Sequence, residues 1–176
     1  MLAILFVVFA VAFRFLPHPM MFTPVAASLL FFGARGSKRQ MWLPLVLLAA
    51  SDVVLTKVSY AYPFSWDHFV TWAWYAAILF LGTTLRDRQR PLPIVGAALA
   101  SSVSFFLLSN FAVWAVWTQM YPRTVNGLLG SYAAGLPFFR REIVGDLLFT
   151  AAMFATPSLI HYLAGLVHKS DHTAAA

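Results

Sequence analysis

Polar side chains that could bind a small solute are concentrated in residues 109–154 of a chain that is otherwise almost wholly apolar. Asn110 and Trp114 are four residues apart, so they share one face of a predicted helix, and Tyr121 extends that face. Aromatic rings beside an amide favour a flat, partly polar ligand, because the rings stack on its plane while the amide hydrogen-bonds to its edge. An aromatic belt at a membrane interface is the alternative, and it accounts for Trp117 and Tyr121 more easily than for Asn110.

Two acids in apolar stretches extend this candidate site. Asp52 lies in LLAASDVVLTK, and Asp146 lies one turn into the last apolar run. A charge at membrane depth costs at least about 3 kcal/mol, so Asp52 is expected to bind a ligand, to couple protons, or to anchor neighbouring helices through hydrogen bonds. Asp146 either binds the solute or is stabilised by its helix dipole and a neighbouring arginine. The predicted solute-binding residues are therefore Asn110, Trp114, Tyr121, Asn126, Asp146 and Asp52.

The sequence contains no recognisable pattern for catalysis or metal binding. Its five histidines lack the HExxH spacing, and GARGSKR lacks the GxxxxGK[ST] spacing of a phosphate-binding loop. Because there is no cysteine, disulfides, thiolate metal ligands and a cysteine nucleophile are excluded. We therefore expect neither enzymatic activity nor a cofactor or bound metal.

Composition predicts an integral membrane protein. Apolar residues make up 61% of the chain and charged residues 10%, against about 25% charged residues in a soluble domain. The 176 residues are enough for one domain but supply no polar shell for a soluble core. We predict a single transmembrane domain at residues 1–168 and a polar C-terminal tail at 169–176, with the lipid bilayer as a partner.

Apolar runs in the sequence predict six transmembrane helices. They cover residues 2–17, 20–34, 41–60, 66–85, 92–120 and 143–167. The stretch at about 124–139 is too short and too rich in glycine to span a bilayer, which favours a re-entrant or interfacial helix. The predicted fold class is therefore all-α: a polytopic membrane bundle of six transmembrane helices plus that short helix.

Small residues open the fifth span and recur in the short segment, as at Gly127, Gly130 and Gly135. Their spacing allows helix backbones to approach closely in lipid. They predict helix packing within one chain, with a dimer seam as the alternative.

The net charge of +6 is explained by topology. Basic clusters at residues 35–39 and 86–90 and Lys169 follow the second, fourth and sixth predicted spans. This positive-inside pattern predicts a multi-pass protein of the cell inner membrane with both termini cytoplasmic. Neither cluster is interleaved with aromatic residues as in single-strand binders, so we expect no nucleic-acid partner.

Two runs of the sequence resemble an uncharacterised membrane family, DUF6580. The run NFAVWAVWTQMYPRTVNGLLGSYAAGLPFFRREIVGDLLF is similar to its signature, an NFxVW stretch followed by MYPxTxxGLxxxYxxxxPFFRxxxxGDLxY. It departs from this signature at Phe149, where the family pattern has Tyr, and at Ser131, where it has Cys. The second run covers residues 22–55 and contains Asp52.

That family is similar in length, topology and early Pro/Gly pattern to the S components of energy-coupling-factor (ECF) vitamin transporters. The resemblance implies a six-helix protein with an outward-facing pocket, which binds and transports a small polar or aromatic solute. Residues 1–17 lack the Ala-x-x-x-Ala pattern with which S components dock on a shared energising module, so a solitary protein is favoured. The alternative is an accessory structural subunit whose partners are proteins of a larger membrane complex.

Overall fold

The computed structural model describes residues 1–19, 21–59, 61, 63–117 and 119–174, and all regular structure in these residues is helical. The predicted span limits at residues 20 and 60, and the last two residues of the predicted tail, lie outside the described residues. A 3-10 turn (Lys38–Gln40) precedes the third helix, and a π-helical turn (Leu55–Ser59) extends it. The α-helices are α1 (Leu2–Phe13), α2 (Val25–Arg35), α3 (Trp42–Val54), α4 (Asp67–Thr83), α5 (Pro91–Val116) and α6 (Val125–Ala174).

Within the described residues, three helical segments are long and apolar enough to cross a membrane: Lys38–Val58, Pro91–Val116 and Val125–Leu166. Helices α1 and α2 are apolar but shorter. The 11 residues of α2 rise by about 16 Å, roughly half the thickness of a bilayer's hydrocarbon core.

Helix α2 forms the centre of the bundle. Each of its residues from 25 to 34 is buried, and it contacts α1, α4, α5 and α6. Gly33 and Gly82 allow its backbone to lie against that of α4, since a Cβ atom at Gly33 would overlap the carbonyl oxygen of Leu79. The chain enters α2 through residues 14–24, whose described part contains no helix and forms one wall of the cavity described below.

The short helix predicted at about 124–139 is not a separate element, and that part of the prediction is wrong. Helix α6 runs without a break from Val125 to Ala174 and includes Pro137 and Pro157. The glycines that suggested an irregular segment are contact positions instead, because a Cβ atom at Gly135 would overlap the side chain of Asn110 on α5. Packing against α5 therefore compensates for the low helix propensity of glycine and for the hydrogen bond lost at proline.

The two basic loops meet at one end of the bundle. Arg86 donates a hydrogen bond from Nη2 to the carbonyl oxygen of Gly36 at 2.9 Å. Arg35, at the C-terminal end of α2, hydrogen-bonds the side chain of Gln89. The loops that follow α2 and α4 are thereby joined, and the opposite end of α2 faces a cavity.

Candidate functional site

A cavity of about 700 Å³, here called the main cavity, opens beside the N-terminal end of α2. Its volume lies within the range of about 300–1,000 Å³ that is usual for small-molecule sites. The loop before α2 forms one wall, and α3, α4, α5 and α6 supply the others. The polar and aromatic side chains from the helices and the residue after α1 are Arg14, Asp52, Thr71, Trp74, Tyr75, Phe105, Glu142 and Asp146.

Asp52 is buried at the edge of the main cavity and is held by side chains from two other parts of the chain. It forms an ion pair with Arg14, which follows α1. On α4, Trp72 donates from Nε1 to Oδ2 at 2.9 Å, and Tyr75 donates from its hydroxyl to Oδ1 at 3.2 Å. Both carboxylate oxygens are therefore engaged, as expected for an anchor between helices, although Asp52 also borders the cavity.

Arg14 also donates from Nη1 to the hydroxyl of Ser51 at 2.6 Å. Sequence analysis did not identify this arginine as a partner of Asp52, because the two residues are far apart in the sequence. The sequence did contain one indication of this pair. Arg14 and Asp52 are isolated charges of opposite sign, and each lies in or beside an apolar run. Lys57, the basic residue that follows Asp52 in sequence, is exposed.

Asp146 lines the main cavity from α6 and is 4% exposed. Ser102 on α5 donates a hydrogen bond to its Oδ2 at 2.7 Å. The neighbouring arginine that sequence analysis offered as its partner is not observed, since Arg140 and Arg141 are exposed and form no ion pair with it among the described residues. A hydroxyl, and not a cation, stabilises Asp146.

Glu142 lies one turn before Asp146 on the same face of α6, and sequence reasoning did not include it in the site. It is 8% exposed and lines the main cavity. In the part of the chain that the structure describes, no side chain or backbone group forms a hydrogen bond or ion pair with its carboxyl group. The four-residue spacing of Glu142 and Asp146 was the signal that could have identified it.

The predicted aromatic face (Asn110, Trp114 and Tyr121) lies away from the main cavity. Trp114 donates from Nε1 to the carbonyl oxygen of Pro122 at 3.0 Å, and Asn110 donates from Nδ2 to the carbonyl oxygen of Phe106 at 2.8 Å. Asn126 is exposed at the start of α6. These contacts support the connection from α5 to α6, and solute binding by this face stays a prediction.

Asn110 borders a second cavity of about 140 Å³, here called the smaller cavity. Ser131 on α6 donates a hydrogen bond to the carbonyl oxygen of Asn110 at 2.9 Å. Phe106 and Phe139 stack face to face at its wall, with ring centroids 4.5 Å apart. Glu142 lines both the smaller cavity and the main cavity.

Among the described residues, no group of three or more histidine, aspartate or glutamate side chains is positioned to hold a metal ion. The chemistry that the main cavity offers is hydrogen bonding and charge pairing by carboxyl groups beside aromatic rings.

Comparison with known proteins finds a match to one protein family, and no activity is described for that family. Residues 1–166 match the family of unknown function DUF6580, and this range contains every residue that lines either cavity. No curated protein and no solved structure is significantly similar to the chain. On the extent of the family match, this chain belongs to DUF6580.

Proposed function

We propose that this protein is a membrane carrier that binds a small polar or aromatic solute in the main cavity. The observation that carries the proposal is a cavity of about 700 Å³ with ionisable side chains, Arg14, Asp52, Glu142 and Asp146, inside an apolar helical protein. Ionisable groups are costly within a bilayer and are retained mainly where they line a route for substrates or ions. An S-component-like carrier is also the function expected from the sequence.

The proposed topology has six membrane crossings in the cell inner membrane. The joined basic loops lie on the cytoplasmic side, as the positive-inside rule favours, with both termini on that side. The main cavity then faces outward. Helix α2 is too short to span alone, and the described residues of the 14–24 segment, which are not helical, complete its crossing. Irregular backbone is tolerated in a membrane where it lines a cavity.

The proposal is tested by measuring whether a small molecule stays bound to the protein through purification. This test does not require the solute to be known in advance. The protein is extracted in native lipid nanodiscs, and its small molecules are identified by untargeted mass spectrometry. Thr71→Trp would place an indole in the main cavity, because Thr71 is half-buried and lines it. Thr84→Trp is the matched control, since Thr84 is exposed at the other end of the same helix.

We expect one small molecule to be enriched with the wild type and with Thr84→Trp, and to be depleted with Thr71→Trp. Equal small-molecule content in all three preparations would contradict solute binding in the main cavity. Melting curves of the three proteins show whether Thr71→Trp keeps its fold.

A structural subunit is the second candidate, and one observation favours it. Residues 158–166 of α6 are all exposed, and they include Leu159, Tyr162 and Leu163. An apolar surface of this kind contacts either lipid or another membrane protein. Stoichiometric co-purification with larger membrane proteins after mild extraction would favour the subunit, whereas a monodisperse species of this chain alone favours the carrier.

A further inference from the structure

The ionisable side chains around the main cavity are not balanced in charge. They comprise Arg14, His18 and the carboxyl groups of Asp52, Glu142 and Asp146. Arg14 is ion-paired with Asp52. His18 lies with Nδ1 2.7 Å from the carbonyl oxygen of Leu16 in the loop before α2. Within the described residues, Glu142 and Asp146 therefore have no cationic partner.

Glu142 is the least satisfied of these groups. More than nine-tenths of its surface is buried, it faces both cavities, and no hydrogen bond to it is formed among the residues described. Buried polar groups in proteins are nearly always hydrogen-bonded, because an unpaired one loses its interactions with water without replacement. Asp52 shows the pattern expected of a purely structural anchor, because both of its carboxylate oxygens are engaged by other side chains. Glu142 instead has no hydrogen-bond or ion-pair partner among the described residues, and it lines both cavities.

Asp146 provides a second acceptor next to Glu142. Among the described residues, Ser102 donates to Oδ2, and Oδ1 has no hydrogen-bond partner in that part of the chain. Because the two residues are one turn apart on α6, a single small group can contact both carboxyls. Two carboxylates this close repel each other unless a proton or another positive charge lies between them.

We infer that the main cavity selects a positively charged organic solute, an amine joined to an apolar or aromatic body, whose ammonium group binds between Glu142 and Asp146. This inference rests on the proposed function, since it names the solute class of the same cavity. The rings of Trp74, Tyr75 and Phe105 line the cavity and suit the apolar body. Aromatic faces also attract cations.

Three compounds of nearly equal size test the charge preference: phenethylamine, phenylethanol and phenylacetate, which are cationic, neutral and anionic at neutral pH. Each is titrated calorimetrically into the purified full-length protein in lipid nanodiscs. We expect phenethylamine to bind at least about tenfold more tightly than the other two, since a hydrogen bond to a charged group contributes about 1.5–3 kcal/mol.

Glu142→Gln keeps the shape of the side chain and removes its charge. It is expected to weaken phenethylamine binding about tenfold to a hundredfold while leaving phenylethanol binding within about twofold. Glu142→Asp keeps the charge and should retain more of the affinity than Glu142→Gln. Asp87→Asn is the matched control, because Asp87 is an exposed acid in the basic loop after α4, and this variant should bind all three compounds as the wild type does.

Equal binding of the three compounds, or tighter binding of phenylacetate, would overturn the inference and leave the carrier proposal standing. Wild-type affinity for phenethylamine in a folded Glu142→Gln variant would also overturn it and favour a carboxyl that takes up a proton only. If the wild type binds none of the three, the inference fails, and the Thr71→Trp comparison decides separately whether the main cavity holds a solute at all.

Discussion

Arg14 and Asp52 form an ion pair between residues 38 positions apart, and this pair joins the end of α1 to α3 beside the main cavity. Their side chains are 15% and 9% exposed, so neither charge is well hydrated. Trp72 and Tyr75 add hydrogen bonds from α4. The end of α1, α3 and α4 are thus joined at one carboxylate that lies at the edge of the main cavity.

Removing the guanidinium leaves Asp52 buried without its counter-charge. We expect Arg14→Met to lower the free energy of unfolding by about 3–5 kcal/mol, the usual loss when one partner of a buried pair is deleted. The measurement is thermal or denaturant unfolding in detergent, with Arg88→Met as control because Arg88 is exposed in a loop. Equal unfolding of Arg14→Met and the wild type would show that the pair does not hold the helices together.

The contact between α2 and α4 depends on the absence of a side chain at Gly33. Gly33→Ala would place a methyl group onto the carbonyl oxygen of Leu79, so we expect destabilisation of about 1–3 kcal/mol from overpacking. Gly96→Ala in α5 is the matched control, since a Cβ atom there meets nothing within 4 Å. Its expected effect is a stabilisation of up to about 1 kcal/mol from helix propensity. If Gly33→Ala and Gly96→Ala shifted the unfolding midpoint in the same direction, the close packing of α2 against α4 at Gly33 would be contradicted.

Trp114→Phe separates the structural role of this residue from a role in binding. Loss of the hydrogen bond to the carbonyl oxygen of Pro122 should cost about 0.5–1.5 kcal/mol of stability. Phenethylamine affinity should stay within about twofold of the wild type, because Trp114 does not line the main cavity. Trp117→Phe is the control for stability, since the side chain of Trp117 is exposed. A tenfold loss of affinity on Trp114→Phe would instead support the aromatic face as the solute site.

The proposed orientation is tested by labelling, because the chain has no cysteine of its own. Ser37→Cys lies in the first basic loop, and Asn126→Cys lies at the start of α6; both positions are exposed. In intact cells an impermeant maleimide should label Asn126→Cys and should label Ser37→Cys only after the membrane is permeabilised. Labelling of Ser37→Cys in intact cells would reverse the topology.

Composition and apolar runs were sufficient to predict an all-helical protein, since helices satisfy their own backbone hydrogen bonds in an apolar chain. The continuity of α6 was not predictable from glycine and proline content. Local propensity argues against a helix through Gly135 and Pro137, and the contact of Gly135 with Asn110 outweighs it. That contact depends on how α5 and α6 pack, which no local pattern encodes.

Two of the predicted solute-binding residues line the main cavity, and the absence of Glu142 from that prediction has a physical cause. Asp52 and Asp146 are the two that line the main cavity, whereas Glu142 lines it without having been predicted as a solute-binding residue. Neighbours along a helix point in different directions, so Arg140 and Arg141 face outward while Glu142 is buried. Which face of α6 turns inward depends on contacts with α5, as does the bond from Ser102 to Asp146.

Pro137 and Pro157 lie inside α6 and divide it into three segments, of which the middle segment is here called the middle rod. A proline has no N–H to donate, so each marks a point where the helix bends at lower cost than elsewhere. Glu142 and Asp146 both lie on the middle rod, which Ser102 ties to α5. Both carboxyls therefore lie on one stretch of helix with no proline between them, so a bend at Pro137 or at Pro157 would leave their spacing unchanged.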